Sequence, residues 1–392
     1  MIKKLTLLVS ALLLMAVAYM YIAEPRYWSR YLNTFRSSGT GADSPVFDSR
    51  MEVFPSVRPY EIPTAVVPSI EPDALEAMVE YAQAFDSFAL VVVHNGEIQL
   101  EWYREDYSRE SLTRSESMHK SLQALLVGVA VEAALIGSID DRIGDYIDEL
   151  NADARGDTRI RDYLQMSTGL EPFGSGISPF GDALRWLYAS DINAATLAIP
   201  QVAPPGATFD YHDANTQTLG ILLNRVYDRP YADYLYDVIW NPVGAGLAEV
   251  WLDSDGGVAH HNCCLLARAI DWANVGQMML QGGQFNGTRV VSEEWIAQQT
   301  RPNLTPHYGF QTWLASNEAA NPRQDGGGYE RSERWLADDV FYFSGYGAQR
   351  VYVSRQKGLV IVRLGPAAGH FPKIAEEWDN TFLVNTAVRG LR

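Results

Sequence analysis

Cysteine is almost missing from this chain. Its 392 residues contain two, Cys263 and Cys264, side by side. That count excludes a disulfide framework, and there is no CxxC spacing of the kind that holds zinc. Adjacent cysteines rarely bridge because the geometry is strained. The expectation is therefore two buried thiols acting as small apolar groups, with a vicinal redox pair as the alternative. Positive charge is also scarce: 31 Lys and Arg stand against 48 Asp and Glu, a formal net charge of −17. A nucleic-acid partner needs a basic surface for its phosphates, so that class is excluded. Lysine itself is rare, limited to Lys3, Lys4, Lys120, Lys357 and Lys373. Internal repeats and long low-complexity segments are absent.

Apolar residues make up 47% and aromatics 11%, enough for a large packed core. Lys3 and Lys4 precede an uncharged apolar run from Leu5 to Ala23. A run of about 20 apolar residues can span a bilayer, and a basic start followed by an apolar stretch also fits a secretory signal. Ala16-Val17-Ala18 offers a small-x-small cleavage site, but the run continues past it to Tyr27 and Trp28. Residues 1–23 are read as a signal anchor or signal peptide, the anchor favoured. Either one sends the rest of the chain to the extracytoplasmic side. Residues 24–60, with Ser37-Ser38-Gly39-Thr40-Gly41 and recurring prolines, read as a linker.

Residues 61–392 read as one domain. Leu75, Met78, Val79 and Ala82 recur at helical spacing over 72–85. Phe88–Val93 and Ile98–Tyr103 flank Asn95-Gly96, a hairpin signal. Arg350–Val353 and Leu359–Leu364 flank Lys357-Gly358 in a second hairpin. An amphipathic helix is expected over Lys373–Val388. The fold class is α+β: an antiparallel sheet flanked by N- and C-terminal helices, with a mostly helical region inserted at about 138–270.

Ser117-Met118-His119-Lys120 opens an apolar helical run, Leu122 to Ile136, with Gly137 placed as its C-cap. Ser117 then lies at a helix N-terminus, where N–H groups and the dipole favour developing negative charge. Lys120 falls on the same helical face. A serine hydroxyl needs a base to become a nucleophile, and a lysine serves as that base only if desolvation lowers its pKa. S-x-x-K alone is unspecific: Ser354-Arg355-Gln356-Lys357 matches it at a hairpin turn, where a solvated pair is expected. Lys120 differs in its apolar setting. His260-His261 lie close to the cysteines but lack a third ligand at metal spacing, and no metal is expected.

Several segments, in order, resemble the serine β-lactamase-like superfamily of penicillin-recognising enzymes. They are Ser117-Met118-His119-Lys120-Ser121, the stretch Arg159 to Leu170 (Arg-Ile-Arg-Asp-Tyr-Leu-Gln-Met-Ser-Thr-Gly-Leu), and Pro205-Gly206-Ala207-Thr208-Phe209-Asp210-Tyr211. The motif style is similar to the class C branch with its esterases and aminohexanoate-oligomer hydrolases. By this resemblance Tyr211 is the tyrosine that exchanges a proton with the nucleophile and leaving group. A phenol of pKa about 10 needs a neighbouring cation for that work, which Lys120 can supply. The family's Y-x-N or Y-x-S reads Tyr211-His212-Asp213 here, so the substrate contact expected of Asp213 departs from the family's chemistry.

The family's K-T-G is missing. Ser344-Gly345-Tyr346-Gly347-Ala348-Gln349 resembles the G-x-G-G-Q of the esterase branch instead. Backbone N–H groups of Ser117 and Tyr346 are expected to form an oxyanion hole, with Gly345, Gly347 and Ala348 beside the substrate. Without the K-T-G lysine, no cation holds a β-lactam carboxylate, and efficient β-lactamase activity is not expected.

The function implied is a serine hydrolase that cleaves a small-molecule or peptide-like amide or ester through an acyl-enzyme on Ser117, with Lys120 and Tyr211 moving protons and no cofactor. The alternatives are a D-amino-acid carboxypeptidase or slow penicillin-binding enzyme, and a non-catalytic membrane-tethered module that binds or senses peptidoglycan. The membrane is the other expected partner, through the N-terminal segment.

Overall fold

The structure is a computed structural model that describes residues 21–36, 46, 48–174, 178–317, 331–366 and 377–392, with positions 10, 15, 18 and 19 before them. Residues 5–23, read as an anchor or signal, lie mostly outside these. Among the described residues no helix is long and apolar enough to cross a membrane.

The first part of the chain places helix α1 (Pro25–Arg36), strand β1 (Arg50–Val53), helix α2 (Pro72–Ala84), strands β2 (Ala89–His94), β3 (Glu97–Tyr103) and β4 (Thr113–Arg114), and helix α3 (His119–Glu132). A central stretch of short helices follows: α4 (Ile160–Leu164), α5 (Asp182–Leu187), α6 (Ile192–Leu197), the longer α7 (Asp213–Tyr227) and α8 (Tyr231–Leu235). Next come β5 (Ala248–Trp251), β6 (Leu265–Ala267), α9 (Ala269–Leu280), the small hairpin β7 (Gln284–Phe285) and β8 (Thr288–Arg289), and α10 (Glu293–Gln299). The chain closes with β9 (Trp313–Leu314), β10 (Phe341–Gly345), β11 (Gln349–Ser354), β12 (Leu359–Leu364) and α11 (Phe382–Gly390).

The main sheet runs β3-β2-β12-β11-β10-β9, antiparallel throughout. Its inner strands are apolar on both faces, as strands covered on both sides must be. The period of two divides them cleanly. Leu90, Val92, Tyr352 and Ile361 pack on one face with Met78, Ala82, Leu383 and Val384 of α2 and α11. Val91, Val93, Val351, Val360 and Val362 pack on the other with α3 and α9. Both hairpins read from the sequence are present, and Asn95 and Gly96 take the left-handed φ of 51° and 80° that a tight hairpin turn requires. A second sheet, β1-β5-β6-β4, ends against the start of α3. The insert holds α4 to α8 together with β5 and β6. Fold class and flanking helices thus match the expectation.

Four boundaries are corrected. The stretch read as a linker is partly built in, since Tyr27, Trp28 and Tyr31 give α1 an apolar face that a count of Gly, Ser and Pro overlooks. Tyr27 packs with Tyr188, Trp251, Cys263 and Cys264, and fully buried Arg30 donates to Asp48 Oδ1 at 2.7 Å and to the Leu252 carbonyl at 3.1 Å. Helix α3 stops at Glu132 instead of reaching Ile136. The Leu135 N–H returns to the Ala130 carbonyl and that of Ala134 to Val131, with Ala134 at φ 55°. This six-to-one closure ends the helix before Gly137 and buries Ile136. The sequence suggests a helix over Leu265–Leu280, but Leu265–Ala267 is strand β6, paired with β4 and β5, and the helix starts at Ala269. The last helix starts at Phe382, because Asp379 Oδ1 accepts from the Thr381 N–H at 2.9 Å and holds a turn ahead of it; residues 371–376 lie outside the described set.

Candidate active site

Strand β4 delivers the chain to a 3-10 turn, Glu116–Met118, which runs into α3. Glu116 has φ 48°, a left-handed conformation that costs energy for a residue with a side chain. Met118 is fully buried and pins the turn, while Ser117 stays half-exposed. Lys120, one residue into α3, is 1% exposed. A buried ammonium needs an acceptor for each of its three protons, and Lys120 has three. Its Nζ donates to Ser117 Oγ at 2.8 Å, to the Asn262 carbonyl at 2.7 Å and to Asp213 Oδ1 at 2.6 Å.

Asp213 is the first residue of α7, where the helix dipole favours a carboxylate. Burial pulls the Lys120 pKa down most strongly, but the charge of Asp213, with Tyr211, more than offsets it and holds the amine above its ordinary value. The condition for a lysine base, a lowered pKa, is therefore not met. The Asp213 carboxylate 2.6 Å away favours the ammonium form of Lys120.

Tyr211 lies beside this cation, with Lys120 Nζ 5.1 Å from its ring centroid. The ring stacks on Trp313 at 5.4 Å and meets Tyr308 edge-on at 6.1 Å. Burial raises the Tyr211 pKa, Lys120 opposes that rise, and Asp213 adds to it. The phenol is raised in net, so it is neutral at rest.

The Arg159–Leu170 stretch holds Tyr211 from both sides. The Asp210 N–H donates to the Met166 carbonyl at 2.7 Å and Thr168 Oγ1 to Asn215 Oδ1 at 2.6 Å. His212 caps α7: its Nδ1 accepts from the Ala214 N–H at 3.2 Å and its Nε2 donates to the Glu171 carbonyl at 3.0 Å.

The Gly345 backbone closes the other side of Ser117. A Cβ there would sit 2.3 Å from the Ser115 carbonyl, so only glycine allows β10 this close. Tyr346, Gly347 and Ala348 form the tip between β10 and β11. Tyr346 is exposed, and Gly347 and Ala348 take φ of 76° and 58°. Gln349 Nε2 donates to the Tyr346 carbonyl at 3.2 Å, and fully buried Arg363 donates to the Gly347 carbonyl at 2.6 Å. The tip is thus held rigidly from behind.

The structure brings Ser117, Lys120, Tyr211 and Asp213 together and packs Gly345 against the nucleophile turn. Three contributors escaped the sequence reading: the Asn262 carbonyl, Arg363 and Gln311. Gln311 knits three elements, its carbonyl accepting from Ser121 Oγ, its Oε1 from Thr216 Oγ1, and its Nε2 donating to the Tyr163 carbonyl. A carbonyl leaves no side-chain signature in a sequence; for Arg363 the available signal was a charge inside an apolar strand.

Other expectations resolve as follows. Cys263 and Cys264 are joined as a disulfide, not free thiols. The chain turns there through Cys264 at φ 84°, which brings the neighbouring side chains together. His261 is fully buried, with Nδ1 3.1 Å from Gln123 Oε1 and Nε2 3.3 Å from Asn224 Nδ2. Ser354 donates to Asp339 at its hairpin turn, away from this site. Of Trp186, Tyr188 and Tyr308, aromatics that the sequence offers for lining a cleft, Trp186 helps line a cavity of about 300 Å³ with Phe173, Ile199, Glu171, Asp182 and Arg185. Phe173 packs 4.3 Å from the His212 ring, so this cavity adjoins the Tyr211–Asp213 turn.

The chain was compared with known proteins by sequence, by fold and by family. Over 274 residues, the chain is 26% identical to a 6-aminohexanoate-dimer hydrolase of Paenarthrobacter ureafaciens, covering 63% of this chain and 69% of that protein. Its fold superposes with TM-score 0.72 and 18% identity on a Bacillus anthracis protein assigned as a 6-aminohexanoate-dimer hydrolase, covering 90% of this chain and 94% of the other. A family VIII carboxylesterase superposes with TM-score 0.57 and 17% identity, over 82% and 99% of the two chains. The Beta-lactamase family model matches residues 73–384, and the chain belongs to that family of serine hydrolases.

Proposed function

We propose that this hydrolase cleaves a small amide or ester through an acyl-enzyme on Ser117. The observation that carries the proposal is the Lys120 ammonium held 2.8 Å from Ser117 Oγ and 5.1 Å from the Tyr211 ring centroid. A cation at that point lowers the cost of an alkoxide on Ser117 and of a phenolate on Tyr211. The reactive form is the one in which Tyr211 has lost its proton. Ser117 Oγ attacks the substrate carbonyl as its proton passes to Tyr211. The oxyanion rests on the backbone N–H groups of Ser117 and Tyr346. Tyr211 then protonates the leaving amine or alcohol; water attacks the ester, giving its proton to the same phenolate, and Tyr211 passes that proton to Ser117 Oγ as the acid leaves.

The names of the relatives, an amide hydrolase and a carboxylesterase, support an amide or ester substrate. The cavity beside His212 has apolar walls and a charged rim, which suits a short apolar chain ending in a polar group. The basic start and apolar run at residues 3–23 support an extracytoplasmic location, with the membrane as anchor. The test is hydrolysis of p-nitrophenyl butyrate and the matching anilide by wild type and Ser117→Ala. Turnover that vanishes in the variant supports the reading; equal turnover in both overturns it.

A further inference from the structure

The Cys263–Cys264 disulfide lies against the nucleophile turn. Three hydrogen bonds run from residues 115–120 to the four residues around it. The Ser115 N–H donates to the Leu265 carbonyl at 2.9 Å, His119 Nδ1 to the Cys263 carbonyl at 2.9 Å, and Lys120 Nζ to the Asn262 carbonyl at 2.7 Å. The Glu116 carboxylate reaches to 4.0 Å from Cys264 Sγ. Behind the disulfide stand Tyr27, Tyr188 and Trp251, which bury it. A segment meeting the nucleophile turn through three carbonyls, those of Asn262, Cys263 and Leu265, must hold its peptide planes at fixed angles. Cys264 sits at φ 84°, in the left-handed region that costs energy for a residue with a side chain. The S–S bond is a constraint that holds it there.

We infer that the vicinal disulfide is a positioning element of the active site. It fixes the 262–264 turn so that the Asn262 carbonyl takes one Lys120 proton and the Cys263 carbonyl orients His119 at the base of α3. This rests on the hydrolase reading and adds a redox dependence to it. A dithiol reductant breaks the S–S bond, supplying two electrons and two protons while becoming a disulfide itself, and leaves two thiols. The freed turn relaxes out of the left-handed conformation, the Asn262 carbonyl swings away, and Lys120 loses one of its three acceptors. A shift of about 1 Å in such a site costs on the order of 10²-fold in rate.

The test measures the rate at which a fluorophosphonate probe labels Ser117, as a function of pH, in oxidised, dithiothreitol-reduced and reoxidised protein. Iodoacetamide adducts on both cysteines report the reduced state, and circular dichroism reports the fold. The expected result is a loss of at least about tenfold on reduction, with a displaced pH profile, an unchanged fold and recovery on reoxidation. Where reduction unfolds the protein, the variant Cys263→Ala/Cys264→Gly decides. Glycine reaches φ 84° without strain, so the turn can still fold, but without the bond nothing holds it in that one conformation. Labelling by the reduced protein or the variant at the wild-type rate and pH profile overturns the inference, even if the melting temperature falls. Oxidised wild type that does not label at all contradicts the hydrolase reading instead.

Discussion

Lys120 and Asp213 form an ion pair at 2.6 Å, with the lysine inside the protein and the carboxylate at the edge of the site. In the proposed mechanism the carboxylate has two consequences of opposite sign. It keeps Lys120 protonated, which helps an alkoxide form on Ser117. It also raises the pKa of Tyr211, which hinders the phenol from becoming a base. The rate is therefore expected to rise toward alkaline pH, as the Tyr211 proton leaves. Asp213→Asn removes the negative charge, so both the Tyr211 and the Lys120 pKa values fall. The rising limb of kcat/KM then moves to lower pH, and the loss of the Lys120 cation at high pH moves with it. A pH–rate profile of the two proteins checks this; an unshifted limb contradicts the electrostatic role given to Asp213.

Tyr211→Phe keeps the stacking on Trp313 and removes the hydroxyl. A positioned proton-transfer group contributes about 10²–10⁴-fold, and kcat is expected to fall by that order while the melting temperature changes little. Steady-state kinetics beside a thermal melt separate the two effects. A variant that keeps wild-type kcat would remove Tyr211 from the chemistry.

Gly345→Ala places a methyl 2.3 Å from the Ser115 carbonyl. Backbone must move, and the site opens between β10 and the nucleophile turn. The expected cost is about 1–3 kcal/mol of stability and on the order of 10²-fold in kcat/KM. Denaturant unfolding and ester hydrolysis measure the two parts. Full activity in Gly345→Ala would show that the close approach is not needed.

Ala195→Trp fills the cavity next to His212. If the cavity takes part of the substrate, KM rises roughly tenfold, about 1.4 kcal/mol of lost binding, with kcat nearly held. An unchanged KM for a long-chain ester assigns the cavity no part in binding it.

How much of this was legible in the sequence depends on which groups carry the information. Ser117, Lys120 and Tyr211 are side chains in recognisable local patterns, and all three meet in space. The two hairpins and α2 follow from periodicity and turn chemistry in the same way. The charge state of Lys120 was not legible, because it is set by Asp213, 93 positions away, and a base was as reasonable as an ammonium until the 2.6 Å contact was known. The Asn262 carbonyl was invisible for a different reason: every residue has one. The disulfide stood only as the alternative because adjacent cysteines seldom bridge, and the left-handed turn at Cys264 makes this pair an exception. The docking of α1 was hidden by its polar composition, since its contacts to the body include Arg30 and Arg185 as well as its aromatic face.

The most direct measurement is covalent labelling of the folded protein by a fluorophosphonate probe, mapped by mass spectrometry, in wild type, Ser117→Ala and Lys120→Ala. An activated serine predicts modification at Ser117 in wild type, none there in Ser117→Ala, and a strongly slowed reaction in Lys120→Ala. Modification at a different serine, or none in folded wild type, would contradict the assignment of Ser117 as nucleophile.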